Sequence, residues 1–271
     1  MRAGTEADTS GPQSALVESS FGDMLDRSVL PSGVPFELMP DTVDVALKVA
    51  EANDPKFWRK KLLQVLAVTK SISGVDLHGQ EKGSAGNPVD MLGTMLDADV
   101  TFLALAWTAE MNGRKIKLSE GIPCPQCAKP FTEISLAPLK VFCRSVAGGP
   151  TSHFHQVDDL DRTKFPGSLA EGKIFVGDPQ WTASRKSIPE NSSTNLEVVR
   201  MHRVMCSLYH QSAGSAAPRQ VSAVETKKIR MSELNKLSDA MDHNVPRIDA
   251  GIALVCAECG MEARIPFEQA I

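Results

Sequence analysis

Two Cys-x-x-Cys pairs constrain the fold of this chain more than any other feature of its sequence. Cys124 and Cys127 form the first pair, and Cys256 and Cys259 form the second. Each pair lies between two short stretches with strand-like character, so the pattern of strand, tight turn and strand occurs twice. A spacing of two residues lets one turn direct both sulfurs at the same ion, and four thiolates match the tetrahedral coordination of Zn²⁺. The sequence therefore predicts one structural zinc site shared by both pairs.

The distance between the pairs along the chain is unusual for such a site. Between Cys127 and Cys256 lie 128 residues, whereas a compact zinc ribbon has roughly 15–20. Because the entropy of loop closure grows only logarithmically, a loop about eight times longer costs about 2 kcal/mol more. Zinc binding in small peptides contributes roughly 10–16 kcal/mol. A shared ion is therefore energetically feasible, and it would join two distant parts of the chain.

Thiol redox chemistry is one alternative for these cysteines, because Cys-Pro-x-Cys also occurs in glutaredoxin-like enzymes. In those enzymes the motif opens a helix. Here Pro130 follows Cys127 closely, and residues 131–136 alternate between apolar and polar, which predicts a strand.

Disulfide bonds, or cysteines without a shared role, are also compatible with the two pairs. The first residues lack a basic region followed by an apolar one, so we expect no export to an oxidising compartment. Cys143 and Cys206 have no partner at ligand spacing, and we interpret them as small buried apolar residues.

Composition places the chain among ordinary soluble proteins of one or two domains. Its 271 residues are 42% hydrophobic and 23% charged, which is enough to bury a core. A net charge of -4 gives no overall basic footprint for nucleic acid, and an aromatic content of 5% leaves few rings for base stacking. The longest apolar run, near residues 100–107, is too short to cross a bilayer. We expect a soluble protein that is cytosolic when made.

The sequence predicts an α+β fold with two related lobes. Each lobe is expected to contain helices beside a small antiparallel sheet, and the lobes meet at the shared four-cysteine, zinc-ribbon-like site. The predicted divisions are a disordered tail over 1–28, an N-terminal lobe over 29–145, a linker over 146–156 and a C-terminal lobe over 157–271.

Hydrophobic periodicity predicts the individual elements. Alternation favours strands at 43–49 and 173–176, and helical spacing favours helices at 55–69, 96–111, 196–209 and 232–241.

The sequence contains no recognisable catalytic constellation. Glycines at 83 and 86 lack the lysine and the preceding strand of a phosphate-binding loop. His153 and His155 are expected to be exposed on the linker, and the three aspartates within 158–161 to form a solvated turn. If all four paired cysteines bind zinc, no position remains for a metal-bound water. We therefore expect a protein that is not an enzyme.

Several segments resemble the baseplate hub or tail-assembly proteins of contractile-tailed bacteriophages of the T-even-like type. The segments that carry the resemblance are Leu-Pro-Ser-Gly-Val-Pro at 30–35, Asp97 and Asp99 leading into the helical segment 103–113, both cysteine turns, and Ile-Pro-Phe at 265–267. The resemblance spans residues 28–271, and only its cysteine pairs are specific.

The resemblance implies a non-enzymatic structural or assembly protein. It implies zinc on the four paired cysteines, other hub or tail proteins as partners, no small-molecule substrate, and location in the virion or in an assembly intermediate in the host bacterial cytoplasm. Phe267 and Ile271 are apolar residues near the last position of the sequence, and we expect them to bind a partner.

Two other functions remain open from the sequence. One is a zinc-ribbon adaptor that binds nucleic acid or a transcription complex through short basic clusters at 59–61 and 227–230. The other is a thiol oxidoreductase, which requires Cys124 to have a low pKa and to react quickly with alkylating agents.

Overall fold

The structure of the protein is a computed structural model. The structure describes residues 16–78, 87–144, 154–186, 188, 196–249 and 251–266. Within these residues the chain is α+β, as predicted, with helices beside small antiparallel sheets. The helices are α1 (Phe21–Asp26), α2 (Val43–Glu51), α3 (Phe57–Val68), α4 (Pro88–Thr94), α5 (Asp97–Met111), α6 (Trp181–Lys186), α7 (Leu196–Ser207), α8 (Ala223–Thr226) and α9 (Met231–Asn244).

The strands form five small sheets in the described residues. The strands are β1 (Val17–Ser20), β2 (Phe36–Leu38), β3 (Thr69–Ile72), β4 (Val75–Asp76), β5 (Lys115–Pro123), β6 (Pro130–Ser135), β7 (Lys140–Cys143), β8 (Phe154–Gln156), β9 (Lys173–Gly177), β10 (Leu208–Gln211), β11 (Arg219–Gln220), β12 (Arg247–Ile248), β13 (Gly251–Val255) and β14 (Glu262–Pro266). Their orders are β1-β7-β12, β2-β3-β4, β11-β10-β9-β8, β5-β6 and β13-β14, and all pairs are antiparallel.

Apolar side chains collect in two clusters, which we call the first core and the second core. The second core lies wholly within residues 165–245 and contains β9, α7, β10 and α9 side chains. The first core forms around α3, α5 and β6, but it also includes Trp181 and Leu254 from the second half of the chain. The sheet β1-β7-β12 spans the same divide, since β12 pairs with β7. The final hairpin therefore packs with the first core and not with the second.

The first residues of the described chain differ from the predicted tail over 1–28. Residues 17–26 form β1 and α1, and β1 pairs with β7. Ser20 caps α1 by accepting a hydrogen bond from the Asp23 amide, and Phe21 and Met24 are fully buried in the first core. Burial of these two side chains together with the strand pairing fixes this short segment. Residues 1–15 lie outside the described part of the chain.

The strand prediction at 43–49 is wrong, because this segment is helix α2. Thr42 caps it by accepting from the Val45 amide at 3.4 Å, and the Asp44 carboxylate pairs with Lys48 one turn later at 2.8 Å. These local interactions favour a helix over the alternation of apolar residues. The helices predicted at 55–69, 96–111 and 232–241 are confirmed as α3, α5 and α9, and the strand at 173–176 is confirmed as β9.

Two further segments differ in their exact bounds from the elements predicted from the sequence. The helix predicted at 196–209 is confirmed as α7, which ends at Ser207 and passes directly into β10. The last residues of the predicted linker, 154–156, form β8 and pair with β9, while 146–153 lie outside the described residues.

Among the helices that the structure describes, none is both long enough and apolar enough to span a bilayer.

Candidate metal centre

The first cysteine pair lies at the tip of the β5-β6 hairpin. The Cys124 amide donates to the Lys129 carbonyl at 2.8 Å, and the Ala128 amide donates to the Cys124 carbonyl at 2.9 Å. This closed turn places Ala128 in the left-handed region, with φ of 59°. The backbone thus curls around Cys124 and turns both thiols of the pair toward the same side.

The second pair repeats this turn at the tip of the β13-β14 hairpin. The Cys256 amide donates to the Met261 carbonyl at 2.9 Å, and the Gly260 amide donates to the Cys256 carbonyl at 2.9 Å. Gly260 has φ of 70° and stands where Ala128 stands in the first turn. The predicted repetition of strand, cysteine turn and strand is therefore present in the structure.

The four thiols lie together. The Sγ atoms of Cys124 and Cys259 are 3.7 Å apart, those of Cys127 and Cys256 are 3.6 Å apart, and all four lie within 4.8 Å of one another. All four are free cysteines. Zn–S bonds of about 2.3 Å in a tetrahedron place sulfurs about 3.8 Å apart. The cross-hairpin distances match that value, so these thiols can hold one metal ion as the sequence predicts.

Backbone amides prepare the first thiol of each pair for metal binding. The amide hydrogen bonds from Cys259 and Glu258 lower the pKa of Cys256 to about 7. Those from Cys127 and Gln126 lower the pKa of Cys124 in the same way. Hydrogen bonds to sulfur favour its charged form, which is the form that binds metal. Cys124 and Cys256 are also buried, with 2% and 4% of their surfaces exposed.

The second thiol of each pair behaves differently because the thiols oppose each other's ionisation. The Met261 amide lowers the pKa of Cys259, but burial and the three neighbouring thiols outweigh it and raise that pKa to about 12. The pKa of Cys127 is also raised: burial and the thiols of Cys256 and Cys124 outweigh a hydrogen bond from the Lys129 amide. A divalent cation among the four sulfurs would compensate this repulsion.

The other residues singled out in the sequence lie away from this centre. In the described residues, these four cysteines are the one group of His, Cys, Asp or Glu side chains with metal-ligand spacing. Cys143 is buried on β7 with its thiol 3.3 Å from the Val17 carbonyl, and the Cys206 thiol donates to the Ala183 carbonyl at 2.9 Å.

The remaining candidates are structural or lie outside the described residues. His155 is on β8, where it pairs in the sheet with Val176. Asp161 caps a short 3₁₀ turn by accepting from the Thr163 amide, and its carboxylate pairs with Lys164 at 3.3 Å. His153, the glycines at 83 and 86, and the partner-binding candidates Phe267 and Ile271 lie outside the described residues.

A buried ionic cluster at the start of α5 is a feature that sequence reasoning missed. The Asp97 carboxylate accepts from the Arg185 guanidinium at 3.0 and 3.1 Å, and Arg203 lies 3.5 Å away. Arg144 donates twice to Asp178, and both side chains are 6% exposed. Through these ion pairs the cluster connects α5, which packs in the first core, to segments of the chain that border the second core.

Nothing in the sequence spacing reveals these partners. Asp97 at the start of α5 is apparent in the sequence, but its partners Arg185 and Arg203 lie 88 and 106 residues later in the chain. Comparison with known proteins adds no relative: no protein-family model, no curated protein and no solved structure matches this chain.

Proposed function

We propose that this protein is a non-enzymatic structural protein in which one Zn²⁺ ion joins two distant hairpins, and that it acts through protein–protein contacts. The observation that carries the proposal is the meeting of four thiols from the tips of two hairpins, with cross-hairpin sulfur distances of 3.6 and 3.7 Å. Zinc bound by four thiolates has no open position for water or substrate. Such an ion stabilises a fold and does not catalyse a reaction.

The position of the hairpins supports a structural role. Leu254 and Cys256 on and beside β13 pack into the first core, next to the first hairpin. A metal ion at this contact would fix the last described segment of the chain onto the body formed by residues 21–143. We also propose the finer architecture of two related lobes, each with helices and a small antiparallel sheet, joined at the zinc site. The two separate apolar clusters support two lobes, with the final hairpin packed against the first of them.

We further propose that the protein works in the hub or tail assembly of a contractile-tailed bacteriophage, as the resemblance described above implies. Its partners would be other hub or tail proteins, and it would be found in virions or in assembly intermediates in the bacterial cytoplasm. Mass spectrometry of purified tails and of tail-assembly intermediates tests this setting. We expect the chain in one of the two fractions, and its absence from both would refute the setting without affecting the metal site.

Metal retention in cysteine variants tests the structural role itself. Cys124→Ser and Cys256→Ser each remove one ligand from a different hairpin, so we expect both to lose the zinc ion and to lower the unfolding temperature. Cys143→Ser and Cys206→Ser are matched controls, because both thiols lie outside the centre, and we expect them to keep one zinc per chain. Full zinc retention after loss of either ligand would contradict a shared site.

A further inference from the structure

One corner of the second core presents positive charge and apolar surface together. The basic corner consists of Lys227, Lys228 and Arg230 with the flanking residues Val224 and Met231. All five are exposed, and the two apolar side chains retain 67% and 54% of their surface. A single exposed apolar side chain is common, but here two of them and three cations are exposed within the eight residues 224–231.

Among the described residues, the positive charge of the basic corner has no paired counter-charge. None of its three cations forms an ion pair with a carboxylate in the part of the chain that the structure describes. The two nearest acidic residues along the chain are engaged elsewhere. Glu225 accepts from Arg219 at 2.8 and 3.1 Å, and Glu233 is fully buried and pairs with Lys164 at 3.3 Å.

A neighbouring histidine responds to this charge. Burial lowers the pKa of His202 on α7, and the positive charge of Lys227 lowers it further. Lys227 of the corner therefore lies close enough to α7 for its charge to act on His202.

The corner is also held rigidly. Ser222 and Glu225 form a capping box at the start of α8, in which each side chain accepts from the backbone amide of the other. Arg219 and Ser222 hold the pKa of Glu225 well below its usual range. Thr226 and Ile229 are buried, and Ile229 belongs to the second core. A preorganised surface loses little entropy when a partner binds.

We propose that the basic corner is a docking surface for an acidic segment of a partner protein that also carries apolar side chains. Carboxylates of that segment would pair with the three cations, and its apolar residues would cover Val224 and Met231. A protein segment fits better than nucleic acid, because the corner offers aliphatic side chains and not the aromatic rings on which bases stack, and a phosphate backbone would leave Val224 and Met231 uncovered. The corner is separate from the metal centre, so the two can be tested independently.

The test uses the zinc-loaded full chain and a fluorescein-labelled helical peptide in which Glu and Leu repeat on adjacent faces. Fluorescence anisotropy should show saturable binding that weakens with added salt. Reversing the three charges (Lys227→Glu, Lys228→Glu, Arg230→Glu) should weaken binding at least about tenfold, because each reversal replaces an attraction by a repulsion. Val224→Ser with Met231→Ser should also weaken it. The matched control is Lys56→Glu with Lys60→Glu, two exposed cations on or beside α3, which should leave binding unchanged.

Amide chemical shifts of the unmodified protein provide a second readout that does not depend on variants. Peptide should shift the signals of residues 222–232 and leave those of both cysteine turns unchanged. The inference is overturned by the absence of saturable binding, by equal weakening in the control variant, or by shifts centred elsewhere. It is also overturned if a short DNA duplex binds the corner more tightly than the peptide does, since that result assigns the surface to nucleic acid. None of these outcomes alters the zinc content, which tests the proposed function separately.

Discussion

The buried carboxyl of Asp99 should make the stability of this protein depend on pH near neutrality. Asp99 lies in the first turn of α5 and is 3% exposed. Burial raises its pKa to about 7, the charge of Asp178 adds to this, and hydrogen bonds from Ser32 together with the charge of Arg144 oppose it. The Ser32 amide donates to the carboxyl at 3.0 Å. Folding therefore removes this group from water without a dedicated counter-ion.

The sign and the size of the effect follow from the two pKa values. In the unfolded chain the Asp99 carboxyl titrates near 3.8 and in the folded protein near 7, so between these values the folded protein holds a proton that the unfolded chain has lost. The free energy of unfolding should then fall by about 1.4 kcal/mol for each pH unit in this interval. The full loss is about 4 kcal/mol, and it is complete above pH 7.

Asp99→Asn isolates this effect, because the amide keeps the oxygen that accepts from Ser32 and cannot ionise. Urea unfolding of the zinc-loaded proteins at several pH values between about 5 and 8 measures the difference between variant and parent. We expect the variant to gain about 3 kcal/mol relative to the parent across this range. Thiol titration affects both proteins equally and cancels in the difference. Asp159→Asn, at an exposed carboxylate, should show no such gain, and a pH-independent difference for Asp99→Asn would refute the reasoning.

Two further predictions concern the cysteine turns and the ionic cluster. Gly260→Ala places a β-carbon in the left-handed region where no other atom lies within 4 Å, so it should lower the free energy of unfolding by about 1 kcal/mol, and the matched Ala128→Gly should not lower it. If Gly260→Ala and Ala128→Gly lowered the thermal stability equally, the conclusion that these two residues occupy the same left-handed position in equivalent turns would be contradicted. Arg144→Met removes the guanidinium nitrogen that donates to both oxygens of the buried Asp178 carboxylate, and it should cost about 3–5 kcal/mol. The double change with Asp178→Leu should recover much of that loss, and no recovery in urea unfolding would argue against a direct charge interaction.

The cysteine centre could be predicted from the sequence because its determinants are local. Two residues between Cys124 and Cys127 fix the turn, the same spacing fixes the second turn, and four thiols in two such turns match the tetrahedral coordination of one zinc ion. The two pairs meet across 128 intervening residues because loop closure adds only a small cost. The repetition of strand and turn is therefore apparent in the sequence, although the packing of Leu254 into the first core is not.

The elements that were predicted wrongly show where local patterns fail. Alternation at 43–49 indicated a strand, but the cap at Thr42 and the Asp44–Lys48 pair favour a helix. Residues 17–26 lack a long periodic stretch, and this segment is fixed by tertiary contacts: β1 pairs with β7, and the Phe21 ring packs 4.7 Å from the buried ring of Phe102 on α5. Ionic contacts such as Asp97 with Arg185 depend on the tertiary fold and leave no trace in the spacing.

X-ray absorption at the zinc edge of the purified chain tests the central claim most directly. One ion bound by Cys124, Cys127, Cys256 and Cys259 predicts one zinc per chain with four sulfur neighbours at about 2.3 Å. Two ions per chain, each with two sulfur and two lighter neighbours, would show that each hairpin binds its own metal. A folded chain without zinc would show that the hairpins meet without an ion. Either result would contradict the account.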